Sequence, residues 1–95
     1  MELSEHFNHF YETIPDDPRI SAVHISLYMA LLLAFEQQGR ENPVPVHRAV
    51  LMKQAKISAR STYYKAMREL EDFGYIRYLP SRNLYLESRI YLNKV

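Results

Sequence analysis

The stretch ISARSTYYKAMRELEDFGYI, Ile57 to Ile76, decides the fold. Tyr63, Ala66, Met67, Leu70 and Phe73 recur at spacings of three and four, which puts them on one face of a helix. Arg60, Ser61, Tyr64, Lys65, Arg68 and Glu71 fall largely outside that face. Ser58 is the expected N-cap, because its side-chain oxygen accepts from the free N–H groups of a first turn. Gly74 is the expected stop, since glycine closes a helix in a left-handed conformation without a Cβ penalty. Tyr63 is therefore predicted to be core. Its neighbour Tyr64 is predicted to be exposed, beside Arg60, Lys65 and Arg68.

Toward the C-terminus, Tyr75 to Leu79 has strand composition. Pro80-Ser81-Arg82-Asn83 has turn chemistry. Leu84, Leu86, Ile90 and Leu92 then alternate with Tyr85, Glu87, Arg89 and Tyr91. That period of two predicts a hairpin with an apolar face, a polar and aromatic face, and Arg82 at its tip.

Toward the N-terminus, His47 to about Lys56 reads as a helix with Val50, Leu51 and Ala55 inward. Asn42-Pro43-Val44-Pro45-Val46 is extended, because a residue before proline is pushed out of the helical region, and it forms a short edge strand. A longer helix runs from about Ser21, its N-cap, to Gln38, with Gly39 as its stop. Val23, Leu27, Tyr28, Leu31, Ala34 and Phe35 form one apolar face of it; Ile25, Met29, Leu32 and Leu33 form another. A helix apolar on two sides needs two covers: the core, and either the first helix or a second subunit. That first helix carries Leu3, Phe7, Phe10, Tyr11 and Ile14, and Pro15-Asp16-Asp17-Pro18 ends it.

The 95 residues predict one domain, with residues 1–20 as an N-terminal helical extension. Hydrophobic residues make up 47% and charged residues 24%, a globular composition. The absence of cysteine excludes disulfides, thiolate metal sites and cysteine nucleophiles. The first residues, MELSEHFNHF, do not have the pattern of a signal peptide, and the longest apolar run, Met29 to Phe35, is too short for a membrane span. A cytoplasmic protein without a membrane partner is expected. The net charge of +1 hides an asymmetry. Residues 1–42 hold two basic and seven acidic side chains; residues 43–95 hold ten basic and four acidic. The basic half is the one suited to an anionic partner.

The elements follow the order α-α-β-α-α-β-β, a mainly α fold with a small β-hairpin (α+β). This order resembles the winged helix-turn-helix family. The residues that carry the resemblance are LMKQAKISARSTYYKAMRELEDFGYIRYL, Leu51 to Leu79, and ELEDFGYI within them is similar to the end of the family's recognition helix and its first wing strand. The chain departs from the pattern at Lys56, where many members have glycine, and a helical backbone or a modest cost is expected there. Through HFYETIPDDPRISAVHISLYMAL and YIRYLPSRNLYLESRIYL the chain also resembles small helix-turn-helix proteins of bacterial conjugative transposons, and the winged N-terminal domains of phage and plasmid replication-initiation proteins.

The resemblance implies sequence-specific binding of double-stranded DNA by a small transcriptional regulator or accessory factor of a mobile element. The second helix of such a motif enters the major groove with its N-terminal residues at the base edges. Carried over, those positions are Ala59, Arg60, Ser61, Thr62, Tyr64 and Lys65. Arg60 is the expected base reader, its fork matching the two acceptors of guanine. Ser61 and Thr62 suit a base or a phosphate, Tyr64 a phosphate through its hydroxyl, and Lys65 and Arg68 phosphates. Ser58 suits a phosphate at the helix start. Arg82 suits a flanking groove, with Arg77 and Arg89 in support. The structural alternatives are a solvated helix face with Arg68 paired to Asp72, Ser58 as a cap alone, and Arg82 as a soluble tip.

A homodimer through the N-terminal helices would present two recognition helices to a two-fold site. The alternative function is a protein–protein interaction or dimerisation module, or an accessory protein of replication initiation. His6 and His9 have zinc-like spacing but no third ligand. His24 and His47 have no recognisable partner motif. The Tyr63-Tyr64 pair is similar to the tyrosines of DNA-nicking enzymes, without their histidine or arginine cluster. With only Gly39 and Gly74, no phosphate-binding glycine loop exists. A non-enzyme without cofactor or metal is expected.

Overall fold

A computed structural model describes residues 5–81 and 87–93. Their elements are α1 (Glu5–Thr13), a 3-10 turn (Ile14–Asp16), α2 (Ala22–Gln37), β1 (Val44–Val46), α3 (Arg48–Ala55), α4 (Arg60–Asp72), β2 (Ile76–Leu79) and β3 (Ser88–Leu92). The described chain is thus mainly helical with a small antiparallel sheet. Leu3, Arg82, Asn83, Leu84, Tyr85 and Leu86 lie outside the described residues.

The sheet has the order β1-β3-β2. Val44 faces Ile90 across one ladder and Ile76 faces Leu92 across the other. The proline-flanked segment therefore forms an edge strand on the hairpin. Pro45, which has no N–H to donate, is tolerated because β1 pairs on one side only. Asn42 lengthens the pairing beyond β1: its side chain donates to the Leu92 carbonyl and accepts from the Leu92 N–H, both at 3.0 Å. Val44, Val46, Ile76, Ile90 and Leu92 are buried, so one face of the sheet closes on the helices.

The core runs from Phe10 through Leu27, Leu31 and Phe35 to Leu51, Tyr63, Met67 and Leu70. Phe10 stacks on Tyr28 with ring centres 4.0 Å apart, which seats α1 on α2. His6 meets Phe35 edge-on at 5.0 Å, so α1 runs antiparallel to α2. On α2, Leu27, Tyr28, Leu31, Leu32 and Phe35 are buried, but Val23 and Leu33 are exposed. Of the second apolar face, Ile25 and Met29 are half-buried against the core and Leu33 is 44% exposed.

Two local expectations, at Val50 and Ser58, need correction, and at Lys56 one of two alternatives is selected. Val50 is 51% exposed; Met52 takes the inward place beside Leu51 and Ala55. In an eight-residue helix that packs through Leu51 and Ala55, Val50 points away from them. Lys56 takes the second of its two expected outcomes: its backbone is not helical, and its φ of 60° lies in the left-handed region, which costs a side chain with a Cβ. That conformation lets the Ile57 N–H reach back to the Met52 carbonyl at 2.9 Å and closes α3. Ser58 is not the cap of α4. Ala59 is, with extended φ and ψ of −105° and 132°, because the bend after Lys56 uses one residue more than expected.

Candidate nucleic-acid interface

The side chains of α4 divide as the spacing predicts, except that Phe73 falls just past its end and is only half-buried. Tyr63, Ala66, Met67 and Leu70 are buried, with Tyr63 only 1% exposed. Arg60, Ser61, Thr62, Tyr64, Lys65 and Arg68 are all exposed, as are Ser58 and Ala59 before them. At about 100° per residue, these side chains sweep one continuous face opposite the buried one. Ala59 carries no hydroxyl or carboxyl, and no side chain caps the first turn. The N–H groups there point outward without a cap. Among the described residues, Arg68 forms no ion pair with Asp72.

One edge of this face meets the sheet. Tyr64 lies edge-on to Tyr63 at 5.1 Å. Tyr78 of β2 is half-buried, and its hydroxyl is pushed up from the ordinary tyrosine range, mainly by burial. Ser88 hydrogen-bonds it, and the neighbouring Tyr64 and Arg68 act on it with opposite signs. Tyr78 thus lies within electrostatic reach of Tyr64 and Arg68, although nothing in the sequence singled it out. Its alternation with Ile76 on the apolar side of β2 was the available signal. Glu71 fixes this edge by accepting the Tyr78 backbone N–H at 2.7 Å.

The other edge meets α2. A cleft of about 130 Å³ between the start of α2 and α4 is lined by Ser21, Val23, His24, Thr62, Lys65 and Glu69. His24 and His47, for which no partner motif was recognisable in the sequence, both have partners. His24 is buried, with Nε2 3.2 Å from Glu69 Oε1 and Nδ1 2.9 Å from the Ser21 N–H nitrogen. The signal was the Ser21-x-x-His24 spacing, that of a capping box with histidine in the place of glutamate or glutamine. His47 Nε2 lies 3.2 Å from Glu87 Oε1 and links the start of α3 to the strand pair.

Arg77 is exposed on β2, its guanidinium 5.9 Å from the Tyr91 ring centre, and Arg89 is exposed on β3. Arg82, expected at the hairpin tip, lies outside the described residues.

Among the described residues, another polar cluster centres on Asp17. Asp17 accepts from Arg19 at 2.8 Å and from the Tyr75 hydroxyl at 2.7 Å. Arg19 first, and Tyr75 second, hold the Asp17 carboxyl well below the usual carboxylate range. Among the described residues, no group of three or more histidines and acids is placed to hold a metal. No helix there is long and apolar enough to cross a membrane.

Comparison with protein-family models, with curated proteins and with solved structures finds no match to this chain.

Proposed function

We propose that this protein is a winged helix-turn-helix protein that binds double-stranded DNA, with α3 and α4 as the helix pair and α4 as the reading helix. The observation that carries the reading is the exposed row Arg60, Ser61, Thr62, Tyr64, Lys65 and Arg68 on a helix whose opposite face is locked into the core. A reading helix needs both properties: a rigid back, and a front of cations and hydroxyls for phosphates and base edges. The uncapped first turn of α4 adds N–H donors where a phosphate would lie. The strand order β1-β3-β2 is compatible with a wing beside that helix. In this reading Arg60 contacts bases, Lys65 and Arg68 contact phosphates, and Arg77 and Arg82 flank. The biological role is that of a small regulator or accessory factor of a mobile element, acting as a dimer through α1 and α2. The half-buried Ile25 and Met29 with exposed Leu33 supply an apolar stripe for that contact.

The test is a titration of labelled duplex DNA by fluorescence anisotropy across salt concentrations. Wild type is expected to weaken steeply with salt. Replacement of Arg60, Lys65 and Arg68 together by Ala is expected to lower the slope of log K against log salt by about 2 to 3. Absence of binding at low salt, or equal slopes, would sink the reading. The function would then be that of a protein-docking module.

A further inference from the structure

The outer face of the sheet, opposite the core, has a composition of its own. Side chains alternate across a strand, so the buried Val44, Val46, Ile76, Ile90 and Leu92 put Pro45, Arg77, Leu79, Arg89 and Tyr91 on the other face. The register sets these side chains in two rows. Arg89 lies between Pro45 of β1 and Leu79 of β2, and Tyr91 is opposite Arg77. Pro45, Arg77 and Arg89 are exposed; Leu79 and Tyr91 are half-buried. The Arg77 guanidinium lies 5.9 Å from the Tyr91 ring centre, within the range of a cation–π contact. No acid occurs in β1, β2 or β3. Glu87, in step with this face just ahead of β3, is 3.2 Å from His47 Nε2. Among the described residues, neither Arg77 nor Arg89 has an ion pair. They are diagonal neighbours on adjacent strands, so the fold leaves two like charges side by side and uncompensated.

We propose that this sheet face is a binding platform for single-stranded nucleic acid, with Tyr91 stacked on a base and Arg77 and Arg89 on the flanking phosphates. The charge pattern selects a polyanion. The ring and its apolar flanks select one with open base faces: Tyr91 presents a π-face, and Pro45 and Leu79 extend apolar surface beside it. A duplex keeps its base faces stacked and offers only edges in its grooves, so the ring and the flanks would meet nothing there. An acidic polypeptide would pair with the arginines and leave the ring unmatched. Sheet faces that carry aromatic side chains stack unpaired bases in this way, and stacking tolerates any sequence because every base has a π-face. The platform and α4 thus take different forms of nucleic acid. Arg77, which flanks the duplex in the reading above, is shared between them. The inference goes beyond the duplex reading and does not require it.

The experiment follows binding of the full chain to a labelled oligo-dT of about 12 nucleotides, and to oligo-U of the same length, by anisotropy across salt concentrations. Wild type is expected to bind at low salt, and the tighter of the two oligonucleotides identifies the strand as DNA or RNA. Tyr91→Leu keeps an apolar side chain on β3 and removes the ring. It is expected to bind the single strand about tenfold more weakly at an unchanged salt slope, with duplex affinity unaltered. Arg77→Ala together with Arg89→Ala is expected to lower the single-strand slope by about 1.4, the release from two phosphates. Absence of single-strand binding at low salt overturns the proposal. So does binding that Tyr91→Leu leaves within about twofold of wild type while the Arg60, Lys65 and Arg68 replacement weakens it, because α4 would then hold the strand. Polyglutamate that competes as well as oligo-dT at equal charge also overturns it, since charge alone would suffice. NMR of wild type gives a readout that needs no variant. Oligo-dT is expected to shift the Tyr91 ring resonances more than those of Tyr64, and a Tyr91 ring that ignores the oligonucleotide overturns the proposal. Should single strands bind in this way and no duplex bind, the duplex reading fails and the platform stands.

Discussion

Lys56 ends α3 in a backbone conformation that glycine adopts freely and lysine does not, with φ at 60°. Replacing Lys56 by Gly removes the clash of Cβ with the backbone, against a larger loss of chain entropy on folding. The expected outcome is a gain of about 0.5–1 kcal/mol in urea unfolding, because the first effect outweighs the second. Ala59 is the second position where one residue matters. It caps α4 without a side-chain acceptor. Ala59→Asp is expected to add about 1 kcal/mol of stability by filling that place. The same carboxylate would face phosphate, so duplex affinity is expected to fall about tenfold while the melting temperature rises. A stability gain with unchanged affinity would place the DNA elsewhere than at the start of α4.

At the level of elements, α4 is fixed on three sides. Its buried face packs into the core, Glu71 holds β2, and Glu69 meets His24 of α2. The α1 element is held more sparingly, largely through Phe10, which is 1% exposed and stacks on Tyr28. Phe10→Ala is expected to cost about 3–5 kcal/mol in denaturant unfolding, the range for deleting a buried aromatic ring. That is a large share of the roughly 5–15 kcal/mol that holds a domain together. A loss below about 1 kcal/mol would mean that α1 contributes little to the cooperative unit.

Across the whole molecule, buried phenols tie stability to alkaline pH. Burial, and for Tyr75 also the adjacent Asp17, pushes the Tyr28 and Tyr75 hydroxyls up to about 12 from an ordinary 10.0. Burial moves Tyr63 in the same direction. A raised native pKa favours the neutral form in the folded state, so this contribution is complete below the unfolded value and lost as pH rises toward the folded one. The urea midpoint is expected to fall between about pH 10 and about pH 12, together with cooperative tyrosinate absorbance. Uniform titration of all tyrosines near the ordinary value, with the fold intact, would contradict this. Asp17 has the opposite sign. Its carboxyl is held low by Arg19 and then Tyr75, so its contribution is present above the ordinary carboxylate range and lost only as pH falls below it.

Much of the fold was legible in the chain because local pattern and tertiary packing agree. The spacing of Tyr63, Ala66, Met67 and Leu70 alone determined which side of α4 is buried, and hence that Tyr63 goes in and Tyr64 stays out. Gly39 and Gly74, at φ 92° and 89°, closed their helices as composition demanded. The exposed row from Arg60 to Arg68 followed from the same period. Other features depend on contacts distant in sequence, which periodicity does not encode. Only the tertiary structure decided that Val50 yields to Met52, that Lys56 turns left-handed and shifts the cap to Ala59, and that Tyr78 lies within electrostatic reach of Tyr64 and Arg68. It alone brought Glu69 to His24 across 45 residues, because that pairing depends on how α2 and α4 cross, not on the residues beside either partner.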